Sequence, residues 1–353
     1  MKLRLMDKRA EKSKFLNIVK QAVVFEELNP PWILVRYTGS RPKGTFANYL
    51  LENLEEIKSR ARANKENIAS KNLVFEIEYP PGKQEKRMYI VKMPHYRITE
   101  SRMISGGKAR DIEHEFYSNV YLYESVEYPV GYGFEPGNRV VPPPSCLLFN
   151  EMTGDAIFVR NSMINTPLSI IAGERISVVA VENTIRNVAI ATALLMRAGF
   201  HKDLHFANIG IDFSSNRCDV VFFDLENFVP IEKIGKRQLP DAAFQTIASL
   251  ILVLIGSGVI QKKEQINMFK KIYLDTNEQW IRETEPRISD AVMNEKGIPS
   301  TDREIALYRA RTELRFRNLA SPSFLNPTEF HARAKKALYL IFSALKIFLS
   351  GRL

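Results

Sequence analysis

The sequence predicts a mixed α+β chain in two parts, a smaller strand-rich N-terminal part and a larger, mainly helical C-terminal part. Three observations carry this. Alternating or β-branched runs bounded by Pro and Gly recur through the first 150 residues. From Val178 the apolar residues Val181, Ile185, Val188, Thr192 and Leu195 step by three and four, one stripe of a long helix. The chain has 353 residues, 45% of them hydrophobic and 25% charged, which excludes a disordered or collagen-like chain and allows two lobes or two domains. The expected boundaries are a basic extension over 1–30, an N-terminal lobe over 31–153 and a C-terminal lobe over 154–353.

Taken in order, residues 1–20 hold seven cations (Lys2, Arg4, Lys8, Arg9, Lys12, Lys14 and Lys20) against Asp7 and Glu11, half of the chain's net +10. They read as a solvated helical arm or as a foothold for an acidic partner. Trp32–Tyr37 reads as a strand, and Phe46–Ser70 as a charged amphipathic helix. In Leu73–Tyr79, Phe75, Glu76, Ile77 and Glu78 alternate apolar and charged, the mark of a half-buried strand. Pro80-Pro81-Gly82 turns the chain and Arg87–Met93 returns it. A helix follows from Asp111 to Ser125, then a Pro- and Gly-rich stretch over Pro129–Pro144, then an apolar strand over Ser145–Met152. Gly199 is placed to cap the long helix, and Pro240 opens a second, all-apolar helix through Ile255.

Several function classes drop out. Cys146 and Cys218 are the only cysteines, too few for a disulfide framework or a Cys-rich zinc site, and they point to a reducing, cytoplasmic setting. The apolar runs Ile247–Ile255 and Ala337–Leu349 fall short of the roughly 18–20 residues that cross a bilayer. Ala332–Leu349, with Arg333, Lys335, Lys336 and Lys346, reads as a helix packed on the C-terminal lobe; peripheral membrane contact is the minority reading. No helix-turn-helix, RNA-binding or zinc module supports a nucleic-acid reading of the charge.

The segment with chemistry in it is His201-Lys202-Asp203-Leu204-His205-Phe206-Ala207-Asn208. It fits the H-x-D-x-x-x-x-N loop in which an Asp handles an acceptor hydroxyl and an Asn binds metal. Ile209–Phe213 and Cys218–Phe223 form a hairpin around Ser214-Ser215-Asn216-Arg217, which brings Asn208 and Asp224 to neighbouring strand ends. Two oxygen ligands so placed suit Mg²⁺.

With these residues the chain resembles the protein-kinase-like superfamily, in particular its aminoglycoside phosphotransferase and choline kinase branch. Members of that branch carry H-x-D-L-H-x-x-N, here His201–Asn208, and D-[FWL]-E, here Asp224-Leu225-Glu226. The resemblance runs from about Leu73 to Ile255. It implies a bilobal kinase-like fold: a small antiparallel β-sheet lobe with one key helix, then a larger helical lobe. It also implies ATP and Mg²⁺ as cofactors, Asp203 as the catalytic residue, and Asn208 and Asp224 as metal ligands. Lys92, which interrupts the apolar run Tyr89–Met93, would hold the nucleotide's phosphates. Its partner should be a Glu on the next helix. Glu113 shares a stripe with Phe116, Tyr117 and Val120, whereas Glu115 falls with Ser118 and Asn119, so Glu113 is expected.

The resemblance further implies that Leu147–Gly154 connects the lobes and binds adenine through backbone groups near Glu151 and Met152. No G-x-G-x-x-G occurs. Its nearest substitute is Thr38–Thr45, in which Gly39 and Gly44 precede a helix whose first amides could face phosphates. Glu226 stands where protein kinases have Gly, about 16 residues separate Asp224 from Pro240, and no A-P-E follows. These features favour a small-molecule or sugar hydroxyl as acceptor over a protein. The alternatives are an atypical protein kinase and a pseudokinase that binds nucleotide or partners without transfer.

Overall fold

A computed structural model describes residues 13–28, 30–40, 44–63, 72–80, 87–94, 96–99, 102–105, 108–129, 137–162, 166–167, 178–201, 208–212, 219–234, 250, 254, 259–260 and 263–284. The chain forms two compact units: Met1–Ile164 with Val221–Glu232, and Asn165–Val220 with Lys233–Leu353. It is of the α+β class.

The first unit is built on a six-stranded antiparallel sheet. Its strands are β1 (Val23–Glu27), β2 (Trp32–Tyr37), β3 (Asn72–Tyr79), β4 (Arg87–Pro94), β7 (Pro144–Asn150) and β8 (Ala156–Asn161). A separate hairpin, β5 (Tyr96–Thr99) and β6 (Arg102–Ser105), follows β4. The spatial order is β1-β2-β7-β8-β4-β3. The expected strands at 32–37, 73–79 and 87–93 all form.

Among the described residues four helices accompany the sheet: α1 (Lys14–Ala22), α2 (Gly44–Glu52), α3 (Leu54–Ala63) and α4 (Ala109–Ser125). The pleat sorts the sheet's side chains onto two faces. Leu34, Tyr89, Val91, Met93, Cys146, Leu148, Ile157 and Val159 cluster with Phe46, Ala47 and Leu50 of α2. The Phe46 ring lies 4.7 Å from both Tyr79 and Tyr89. Lys92 and Phe158, the alternate residues, face α4, where Phe158 meets the Phe116 ring edge-on at 5.7 Å. Burial on both faces makes β4, β7 and β8 apolar nearly throughout, and Lys92 conspicuous within β4.

In the second unit, α5 (Val178–Ala198) packs on α6 (Lys263–Thr284). Arg197 donates to the Thr276 carbonyl at 2.7 Å. The stripe read from the sequence is buried, with Ile185, Val188, Thr192 and Leu195 inaccessible, and so is nearly all of α5 from Thr184 to Ala198. Strands β9 (Thr166–Pro167) and β11 (Ile209–Asp212) pair antiparallel. Gly199 does not cap α5 in a left-handed turn. It opens the short strand β10 (Gly199–His201). The expected helix over 240–255 lies outside the described residues except for Leu250 and Leu254, both helical and buried. The C-terminal segment 332–349 lies outside them entirely.

Two expectations about connections need correction. Leu147–Gly154 does not leave the sheet. After Asn150 the chain reverses into β8, which pairs with β7 from Phe149↔Ala156 to Pro144↔Arg160. Asn150 makes this turn locally: its Oδ1 accepts the Met152 and Thr153 amides at 2.9 and 3.0 Å. Gly154 closes it at φ +73°, where L side chains are disfavoured. The first segment of the unit runs on past β8 to Ile164.

The second correction concerns Gly39 and Gly44. They follow β2, and β7 and β8 lie between β2 and the Lys92 strand. With roughly 4.8 Å per strand step, that is about 14 Å from the Lys92 strand. Gly39 has a packing reason instead: a Cβ there would lie 2.6 Å from the Tyr37 ring.

Candidate functional site

Lys92 is the centre of the site. β4 is an inner strand, held to β3 by the pair Val74↔Lys92 and to β8 by Lys92↔Phe158, so its side chain has little freedom to reach solvent. Lys92 is only 8% exposed. A buried ammonium must be paired, and here three carboxylates surround it. Glu115 accepts from Nζ at 2.5 Å, Asp224 accepts a second hydrogen bond, and Glu226 lies at 3.8 Å.

The Lys92 partner on α4 is therefore Glu115, not the expected Glu113. The stripe argument failed because α4 is buried nearly all round: Ile112 and every residue from Glu115 to Leu122 are inaccessible. With no open face, apolar neighbours do not single out the inward carboxylate. Glu113 is half-buried beside Tyr117, whose phenol is raised by burial first and by Glu113 second.

The helix is held in place from several sides. On α1, Phe15 stacks against Tyr121 with centroids 5.0 Å apart, and Val19 is fully buried. Ser13 caps α1 through the Leu16 amide and donates to Glu232, whose other oxygen accepts from the Phe15 amide at 3.4 Å. His114, next to Glu115, contacts the Phe228 carbonyl at 2.7 Å through Nε2.

Asp224 reaches Lys92 through backbone conformation. It sits at φ 57°, ψ 54°, left-handed geometry that Asp tolerates better than most residues, at the entry to the 3₁₀ turn Leu225–Asn227. Leu225 is buried, which anchors the turn beside α4. Glu226 then faces back, accepting from Asn72 Nδ2 at 3.1 Å.

The electrostatics follow from one cation among three acids. Burial alone would depress the Lys92 ammonium, but Glu115 and Asp224 outweigh it and hold it protonated above the ordinary lysine range. Burial pushes Glu115 up to about 7, only partly offset by Lys92 and reinforced by Asp224 and Glu226. Oxygens of Glu115, Asp224 and Glu226 all lie within 4.8 Å of one another. Hard carboxylate donors and an excess of negative charge suit Mg²⁺ chemically.

The structure thus brings Lys92 and Asp224 together and adds Glu115 and Glu226, which the sequence reading had given no role. Asn208 is buried, 4% exposed, at the entry to β11 in the second unit. Asp203 lies outside the described residues. Glu151 is exposed on the β7–β8 turn, where its amide already donates to the Pro31 carbonyl at 3.0 Å, and Met152 is 83% exposed there. Neither therefore occupies a lobe connection. No described helix is long and apolar enough to cross a membrane.

No protein-family model and no curated protein matches the chain. Solved structures give weak likenesses, among them three kinase or pseudokinase domains. A MAP kinase from Leishmania major is 15% identical over 81% of this chain and 90% of its own, with a TM-score of 0.33. The kinase domain of a maize sucrose-induced receptor kinase bound to AMP-PNP is 14% identical over 72% and 94%, TM-score 0.31. The pseudokinase domain of BIR2, an immune regulator of the RLK/Pelle family, is 16% identical over 83% and 86%, TM-score 0.31. Likenesses of this size specify neither activity nor substrate.

Proposed function

We propose that the protein is an ATP- and Mg²⁺-dependent phosphotransferase that moves the γ-phosphoryl group to a hydroxyl, of a small molecule or sugar before a protein. The observation that carries this is a buried strand lysine paired at once with a helix glutamate and with the aspartate of Asp224-Leu225-Glu226. In phosphoryl transfer the first pair positions the lysine on phosphates and the aspartate holds metal.

In this reading Asp203 accepts a hydrogen bond from the acceptor hydroxyl, orients it, and takes its proton as the oxygen bonds to the γ-phosphorus. The bond from that phosphorus to the β–γ bridging oxygen breaks, leaving ADP. Asn208 and Asp224 would hold Mg²⁺, which supplies charge neutralisation at the phosphates. Lys92, kept charged by its carboxylates, positions the phosphates, and Glu115 fixes Lys92. The work of the chain is positioning and charge complementarity.

A second reading, a nucleotide-binding pseudokinase, draws support from the glycines after β2. Two strands, β7 and β8, lie between their strand and β4, and the sequence offers no G-x-G-x-x-G to replace them. A panel of hydroxylated metabolites, sugars and proteins, screened with γ-labelled ATP, tests the transfer reading. A labelled acceptor supports it; Mg-ATP thermal stabilisation with no labelled product supports the binder.

A further inference from the structure

Arg160 is a charged side chain that the site described above leaves unused. On β8 it is two residues past Phe158, the partner of Lys92, and opposite Ile90, so Arg160 and Lys92 are diagonal neighbours on the same sheet face. Such neighbours lie roughly 7–8 Å apart. The guanidinium is stacked on Phe223, the residue before Asp224, with its carbon 4.7 Å from the ring centroid. The ring contact holds the guanidinium in place and leaves N–H donors at its edge to bind something.

Very little binds it. Arg160 makes one long hydrogen bond, Nη1 to the Asn161 carbonyl at 3.4 Å, and no ion pair among the described residues. Glu115 and Glu76 act on it only at a distance; burial dominates and pulls it down to about 10. Glu76 is engaged by the Ser162 hydroxyl at 3.2 Å. The guanidinium is partly exposed, and most of its donors have no partner among the described residues, so they are open to a ligand. Lys92, meanwhile, is committed to three carboxylates, which repel an incoming phosphate.

We propose that Arg160 is a ligand-binding residue whose guanidinium takes a phosphate oxyanion of the phosphoryl donor alongside Lys92. The identity of the ligand rests on the phosphotransferase reading; the vacant donors and the register do not. Arg160 supplies the uncommitted positive charge that Lys92 lacks, in a fork that matches two phosphate oxygens.

Isothermal titration of the full chain with magnesium pyrophosphate, which has no base, and separately with adenosine, which has no phosphate, tests this. The wild type should bind pyrophosphate. R160M should bind it at least about tenfold more weakly, the equivalent of one charge-assisted hydrogen bond, with adenosine affinity unchanged. R160K, which keeps the charge and loses the fork, should fall between them, and it decides the matter if R160M does not fold. Equal pyrophosphate affinity in wild type and R160K together with R160M, no pyrophosphate binding by the wild type, or a loss confined to adenosine would each overturn the proposal. Because no turnover is measured, a protein without transferase activity can still pass, which separates this proposal from the catalytic one.

Discussion

Replacing Lys92 by Met keeps the aliphatic stem and deletes one positive charge from the middle of three carboxylates. Glu115 at 2.5 Å and Glu226 at 3.8 Å, with Asp224 also in contact, then face each other with no cation between them. At an effective dielectric of about 20, a pair at roughly 4 Å is worth about 4 kcal/mol. Removing one partner of a buried ion pair costs about 3–5 kcal/mol after relaxation. K92M should therefore lower the unfolding free energy by about 3–5 kcal/mol at pH 8. Glu115→Gln is the informative contrast. It leaves Lys92 with Asp224 and Glu226 and removes one of three mutually repelling acids, so its cost should stay within about 1 kcal/mol. Urea unfolding followed by far-UV circular dichroism measures both. If E115Q costs as much as K92M, the site behaves as an isolated Lys–Glu pair, and the reasoning from excess negative charge is refuted.

Other expectations follow from the same geometry. Glu115 has a native pKa of about 7, above its ordinary 4.5, so the native state holds a proton that the unfolded state has released. Its contribution is full below about pH 4.5 and is lost as pH rises through 7; E115Q should flatten that part of the stability–pH curve measured in metal-free buffer. Phe15→Ala removes a ring that is 4% exposed and should cost about 3 kcal/mol or more, with faster amide exchange in both α1 and α4. Unchanged exchange in α4 would mean that α1 does not brace it. Gly39→Ala should cost about 1–3 kcal/mol, because Tyr37 is held by Glu124 and by the Tyr123 ring and cannot withdraw from the new Cβ. Its Mg-ATP affinity, measured on the folded protein, should match the wild type; a selective loss of affinity would return Gly39 to the phosphate site.

What the sequence revealed and what it hid divide along physical lines. β3 shows itself in the alternation Phe75-Glu76-Ile77-Glu78, because it has a wetter and a drier face for the pattern to record; α5 was legible from its three-and-four stripe although it is buried nearly all round from Thr184 to Ala198. α4 has no wet side, and there the choice between Glu113 and Glu115 went wrong. β8 was missed although Ala156-Ile157-Phe158-Val159 is a short apolar run of the kind expected of a strand covered on both faces. Missing it turned the β7–β8 turn into a connection between lobes and placed Glu151 and Met152 wrongly. Lys92 and Asp224 were legible because a charge inside an apolar run, or at the end of one, is expensive and therefore informative. Arg160 meets the same test, at the end of the run that went unread. Strand order, which removes Gly39 and Gly44 from the lysine strand, is a long-range property that no local pattern encodes.

The proposed phosphoryl transfer through Asp203 stands or falls on Mg-ATP turnover in wild type and Asp203→Asn with an acceptor from the screen. The wild type should release ADP with stoichiometric phosphorylation of the acceptor. D203N should retain Mg-ATP binding while losing at least about a hundredfold in rate, the usual scale of general-base assistance. Equal turnover by the two proteins would contradict it.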